Sequence, residues 1–223
     1  MTDPLVFEDV VLDGPYGGVV SLTVPAHLTV SIVGNAASGV NRLAPFALGL
    51  TPLPGGRALV LGEDLHAMPR RAALAFRRRV GYVPAGDGLL QNLSLADNVA
   101  LPLRFGTTMS PREIDGRLRI MLAQVRLDAV ADLRPADADG EQRRRAALAR
   151  ALAFDPDLVI MDRPFDGIAG RAQIELIETA RGGELAEGAR RTVFVTGQFL
   201  PDRLRPRIEH RYRLVRGEFQ TEP

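Results

Sequence analysis

Gly140-Glu141-Gln142-Arg143-Arg144-Arg145-Ala146-Ala147-Leu148-Ala149-Arg150-Ala151-Leu152 leads through two residues into Asp155-Pro156-Asp157-Leu158-Val159-Ile160-Met161-Asp162-Arg163-Pro164-Phe165-Asp166-Gly167. The first half has the pattern of a helix, and Asp155-Pro156 is a breaker. Residues 158–161 form a continuous apolar run, the pattern of a strand covered on both faces. A helix delivered into a fully buried strand is the unit of a layered α/β fold. Downstream, a helix separates this strand from another at 192–196, and 211–219 reads as a hairpin-like edge. Upstream, 94–154 is almost wholly helical, and Ser110-Pro111-Arg112-Glu113 supplies a capping-box start with proline at the first helical position. Residues 5–12 and 19–24 read as an antiparallel amino-terminal layer. A stronger strand at 28–33 precedes a glycine-bearing turn and an apolar helix over 43–50, stopped near Pro52 and Gly55. A strand at 58–61, an arginine-rich helix over 69–79, a strand at 80–83 and a loop at 84–88 complete the chain. The expectation is a mostly parallel sheet with helices on both faces, an amino-terminal antiparallel β layer and an inserted helical subdomain.

Composition removes whole classes of chemistry. The 223 residues contain no cysteine, so disulfides, thiolate metal sites and thiol nucleophiles are excluded. His27, His66 and His210 are scattered without ligand spacing, and no metal site is expected. All 28 basic residues are arginine, which removes lysine-dependent catalysis. A formal charge of +1 gives no global pull toward nucleic acid or acidic lipid. The clusters Arg77 to Arg79 and Arg143 to Arg145 lack interleaved aromatics, so they read as solvated helix faces or subunit contacts rather than a nucleic-acid surface. Neither a leader peptide nor a run of about 18 apolar residues is visible, and the expected location is cytoplasmic.

After the 28–33 strand comes Gly34-Asn35-Ala36-Ala37-Ser38-Gly39-Val40-Asn41-Arg42. This keeps the frame of a phosphate-binding loop, G-x-x-x-x-G-K-[ST], in which backbone N–H groups face a phosphate, the lysine reaches the outer phosphates and the hydroxyl holds magnesium. Val40 stands at the lysine position and Asn41 at the hydroxyl position. The 140–167 stretch closely resembles the signature helix and Walker B strand of ATP-binding-cassette (ABC) ATPases, and the resemblance runs in order along nearly the whole chain. It implies the P-loop NTPase fold, with residues 1–86 and 157–223 as the core and 87–156 as the helical, signature-bearing subdomain. Asn98-Val99-Ala100-Leu101-Pro102-Leu103-Arg104 and the arginine–alanine run at 144–150 look most like ATPases of Mce/Mla-type lipid transporters.

Against that family pattern the catalytic positions are altered. Ala85 falls where the family has the Q-loop glutamine. The signature is Ala138-Asp139-Gly140-Glu141-Gln142, with Asp139 for serine and Glu141 for the second glycine. Asp162 keeps the Walker B carboxylate, Arg163 replaces the glutamate that acts as general base, Ala169 replaces the D-loop aspartate and Gly197, beside Gln198, takes the switch-histidine position. A charge-assisted bond such as the absent lysine makes is worth roughly 1.5–3 kcal/mol, and a positioned base contributes about 10²- to 10⁴-fold. Asp139 facing a phosphate held by a second subunit adds a repulsion on the order of 4 kcal/mol at about 4 Å and an effective dielectric near 20.

These departures imply a degenerate nucleotide-binding subunit with no intact catalytic residue. A remnant phosphate loop remains at Gly34, Asn35, Ser38, Gly39, Asn41 and Arg42, with Asp162 and the altered signature Asp139, Gly140 and Gln142 around it. No cofactor is required, and ATP with magnesium is expected to bind weakly or not at all. Arg163 has two readings: a cation paired with Asp162 in place of the metal, or a residue that drifted once the base was unnecessary; the second is favoured. Tyr16 is either an adenine-stacking aromatic or an ordinary turn tyrosine. The resemblance further implies docking of the apolar segment 89–105 on a transmembrane permease and pairing with a second nucleotide-binding subunit, with no direct membrane insertion. The competing reading is an active ATPase in which Arg42 replaces the lysine; two positions beyond Val40, it projects from another side of the helix.

Overall fold

The computed structural model describes residues 3–13, 15, 17–182 and 191–222. Strands β1 (Leu5–Leu12) and β2 (Gly18–Val24) pair antiparallel. With β4 (Arg57–Val60) and the two-residue β5 (Glu63–Asp64) they form a four-stranded sheet in the order β2-β1-β4-β5. The second sheet runs β10-β9-β3-β8-β7-β6, where β3 is Thr29–Val33, β6 Val80–Val83, β7 Leu158–Asp162, β8 Thr192–Gly197, β9 His210–Val215 and β10 Glu218–Thr221. Every pairing in it is parallel except β9 with β10, which accords with the expected mostly parallel sheet.

Period-two alternation along the central strands builds two cores. Val159 and Met161 of β7, with Val193 and Val195 of β8, face helices α3 (Leu95–Gly106), α4 (Pro111–Gln124), α5 (Gly140–Ala151) and α6 (Arg171–Arg181). Leu158, Ile160 and Phe194 point the other way, joining α1 (Val40–Ala47) and the antiparallel sheet in a second cluster. Phe7 of β1 meets Phe194 of β8 with ring centroids 6.0 Å apart, tying the layers together. A short α2 (Arg70–Phe76) runs into a 3₁₀ turn over Arg77–Arg79.

The structure corrects several boundaries. The helix expected over 43–50 occupies Val40–Ala47, because it starts directly from the left-handed Gly39 (φ 82°). Its carboxyl end is held by Arg77, whose Nε donates to the Leu48 carbonyl at 2.9 Å and Nη2 to that of Gly49 at 3.0 Å. The Ser110 capping box is present as expected. Along 89–105, Leu89, Leu95, Val99, Ala100 and Leu103 are buried in the core, and only Leu90 and Phe105 stand out as exposed large apolar side chains. The apolar pattern there is chiefly a packing pattern. Asn98, fully buried, fixes the entry to α3 by accepting from the Leu90 N–H at 2.7 Å and donating to the Leu90 and Ser94 carbonyls.

Candidate functional site

The carboxyl ends of β3, β6, β7 and β8 bring most of the altered motif positions to one rim. The loop after β3 has folded onto itself. Ser38 N–H donates to the Asn35 side-chain oxygen at 2.9 Å, and the Ser38 hydroxyl donates to the Asn35 carbonyl at 2.7 Å. A 3₁₀ turn over Ala36–Ser38 results, capped by Asn35. Gly34 permits this closure, since a Cβ there would lie 2.4 Å from the Ser38 hydroxyl oxygen. The Gly34 N–H donates across the sheet to the Gly197 carbonyl at 3.0 Å. Val40 is 3% exposed and packed in the second core, so the lysine position carries a core side chain. Asn41 is exposed. Arg42 turns to Asp13 at 3.7 Å, an exposed pair on the loop's outer side.

Asp162, 7% exposed at the end of β7, accepts from the Thr196 hydroxyl at 3.0 Å. Burial pushes its pKa up, only partly offset by that hydrogen bond and by the Arg163 and Arg144 charges. Tyr82 on the neighbouring β6 is pushed up to about 12 by burial and by the Asp162 charge. The pairing of Arg163 with Asp162 is not found. Arg163 adopts φ 48° and its guanidinium reaches Asp166 instead, at 2.6 and 2.8 Å. Ala85 and Ala169 are exposed, while Gly197 is buried at the end of β8.

At the signature helix, Asp139 caps α5. Its carboxylate accepts from the Gln142 N–H at 2.8 Å, and the Gln142 side chain accepts from the Asp139 N–H at 3.0 Å. The capping pattern D-x-x-Q was present in the sequence. Glu141, expected to add negative charge, is paired with Arg145, which also reaches Glu175. The 143–145 cluster is not a solvated face: Arg144 is 4% exposed and donates to the Pro84 carbonyl at 2.9 Å, while Arg143 pairs with Asp87 at 3.3 Å. Arg150, on the same helix, donates to the carbonyls of Gly88 and Asp87. Signature helix and segment 84–88 are thus strapped together across more than fifty positions of sequence. Tyr16 lies outside the described residues. Among the described residues no cluster of three or more His, Cys, Asp or Glu side chains has metal-binding geometry, and no helix is long and apolar enough to cross a membrane.

Fold, loop frame and signature helix together define an ATP-binding-cassette protein, and the model of the ABC transporter family matches residues 18–166; the chain belongs to that family. It is 36% identical to the methionine import ATP-binding protein MetN 2 of Pseudomonas aeruginosa over 63% of this chain and 42% of that one. It is 34% identical to the intermembrane phospholipid transport system ATP-binding protein MlaF of Escherichia coli, over 66% of this chain and 55% of the relative. The chain therefore spans about half the length of these curated relatives. A solved ATP-binding cassette, captured as a dimer in a post-hydrolysis state with ADP and Pi, superposes with a TM-score of 0.85 over 98% of this chain and 97% of its own at 23% identity. That last likeness establishes the fold.

Proposed function

We propose that the chain is a degenerate nucleotide-binding subunit of a membrane transport complex, serving a permease structurally or as a regulator without turning over ATP. The carrying observation is the self-closed phosphate loop, in which the Ser38 N–H is bound back to Asn35 and Val40 lies in the core where the family's lysine would stand. The residues present do not fit a magnesium triphosphate. The loop offers no ammonium, Arg163 is turned to Asp166, and an N–H of the α5 amino terminus is already donated to the Asp139 carboxylate. Arg42 as a replacement cation is disfavoured by its pairing with Asp13.

Lipid is the proposed cargo, on the strength of the wording of 98–104 and 144–150 and the likeness to MlaF. The proposed docking surface is the helical subdomain beside Leu90 and Phe105, the latter 83% exposed. Next to Phe105 a cavity of about 630 Å³, lined also by Arg78, Arg79, Phe154 and Asp157, offers room for an inserted helix of the permease. A second cassette subunit pairs with this one on the cytoplasmic face of the membrane. If that partner is active, its ATP meets Asp139 and is poorly closed over; if it is a second copy, the assembly is a scaffold.

Co-expression with the permease subunits of its complex provides the test. Phe105→Glu is expected to release the chain from the membrane fraction, whereas Arg42→Ala is expected to leave the complex and its ATP turnover unchanged. A fall in turnover on Arg42→Ala establishes the active-enzyme reading instead.

A further inference from the structure

β3 ends between two neighbouring strands, β8 on one side and β9 on the other. On the β8 side lie Asp162, Thr196 and Gly197. On the other, the parallel ladder of β3 and β9 continues to Val33 opposite Arg213 and then stops, because Gly34 bends into the loop while β9 runs on to Val215. The diverging chains leave a cavity of about 410 Å³ lined by Gly34, Asn35, Ser38, Arg213 and Arg216 with the backbone of β9. Crevices at the carboxyl ends of parallel strands are where open α/β sheets take ligands, and this volume falls in the range of small-molecule sites.

The polar side chains of the lining are chiefly donors. Asn35 commits its carbonyl oxygen to the Ser38 N–H, which leaves its amide NH₂ group facing away from that bond. Arg213 spends one amino group on Glu222 at 2.5 Å and keeps its remaining N–H groups. Arg216 has no salt bridge among the described residues, and it is exposed. It is also held in an unfavourable conformation. Arg216 and Gly217 form the β9–β10 turn with φ 49° and 78°, a geometry in which asparagine or glycine is the ordinary first residue. The turn cannot drift, since Gly217 Cα packs so close to Gly18 that a Cβ on Gly18 would sit 2.8 Å from it. A bulky cation at a strained, rigidly placed turn, beside a second arginine and a free amide, is an arrangement suited to holding an anion.

We propose that this crevice is an anion site for a soluble phosphate-bearing small molecule, gripped by Arg213 and Arg216 and oriented by the Asn35 amide. It lies on the opposite side of β3 from Asp162 and shares the Asn35–Ser38 closure with the phosphate loop, but it requires neither the lysine nor the signature position. The probe is sodium pyrophosphate without magnesium, titrated calorimetrically into the full chain. Saturable binding is expected, weakened about tenfold or more by Arg216→Gly, as befits the loss of a charge-assisted contact. Glycine suits the left-handed turn, so this variant removes the guanidinium while easing the backbone, and its melting temperature should not fall. Arg57→Ala, whose partner is Glu8 on the other sheet, should leave the affinity unchanged. No saturable binding, equal affinity in Arg216→Gly and the parent, or binding that demands magnesium overturns the proposal. None of these readouts is ATP turnover, so this proposal and the pseudo-ATPase reading fail separately.

Discussion

Replacing Asp139 by alanine and, separately, by serine tests whether the signature end of α5 is satisfied from within. In the parent, the carboxylate accepts the Gln142 N–H at 2.8 Å and the Gln142 side chain answers at 3.0 Å. Alanine removes the cap, at a cost of about 1 kcal/mol, and the favourable interaction of a negative charge with the helix amino terminus, about 0.3–1 kcal/mol more. For a chain of this length each kcal/mol moves Tm by about 2–4 °C, so Asp139→Ala should melt roughly 3–8 °C lower. Serine keeps the accepting oxygen and loses only the charge, so Asp139→Ser should lose roughly 1–4 °C. The effect reaches beyond one turn, because α5 carries Arg144 and Arg150, which hold segment 84–88. Calorimetric melting of the three proteins side by side reads the result. Equal melting temperatures for parent, serine and alanine forms would refute the reasoning and return Asp139 to solvent as an uncommitted charge.

Three further outcomes follow from the site. Burial raises the Asp162 pKa above its unfolded value, so ionisation opposes folding: the associated stability is full below the unfolded value and declines as pH rises toward the raised folded one. Asp162→Asn should therefore melt higher than the parent at pH 7 and show a flatter stability–pH profile on thermal scans from pH 3 to 8. Val40→Lys sets an ammonium in a core site, a larger penalty than the roughly 1–3 kcal/mol of an unpaired neutral polar group, and should lower the denaturant midpoint accordingly, without bringing ATP turnover above background. Arg144→Met keeps the packing of a buried side chain but removes its bond to the Pro84 carbonyl, a loss of about 1.5–3 kcal/mol, with faster amide exchange across 84–88 as its local signature.

What could be read from the chain was whatever period and spacing encode. The buried strand at 158–161, the loop frame between Gly34 and Gly39, and the Ser110 capping box all reappear in place, since each is determined by residues within a few positions of one another. Contacts between distant segments were not legible. Nothing in the sequence joins Arg144 to Pro84, Arg77 to the end of α1, or Arg216 to the loop at Asn35; each depends on which strands become neighbours. The Asp162 pairing, the less favoured of the two readings of Arg163, fails for a different reason. Asp162 and Asp166 are both near in sequence, and only the left-handed backbone at Arg163 sends its side chain to the second. The capping role of Asp139 is encoded in the D-x-x-Q pattern, while the family motif at the same positions points to a lost serine.

The central claim is that a cassette-shaped pocket no longer accepts its triphosphate. Incubating the purified chain with ATP and magnesium and following phosphate release, with calorimetric titration of the same nucleotide alongside, addresses it directly. Background-level release and no tight, magnesium-dependent heat are expected, whereas steady release at or above about 1 s⁻¹, the low end of ordinary enzyme turnover, would contradict the account.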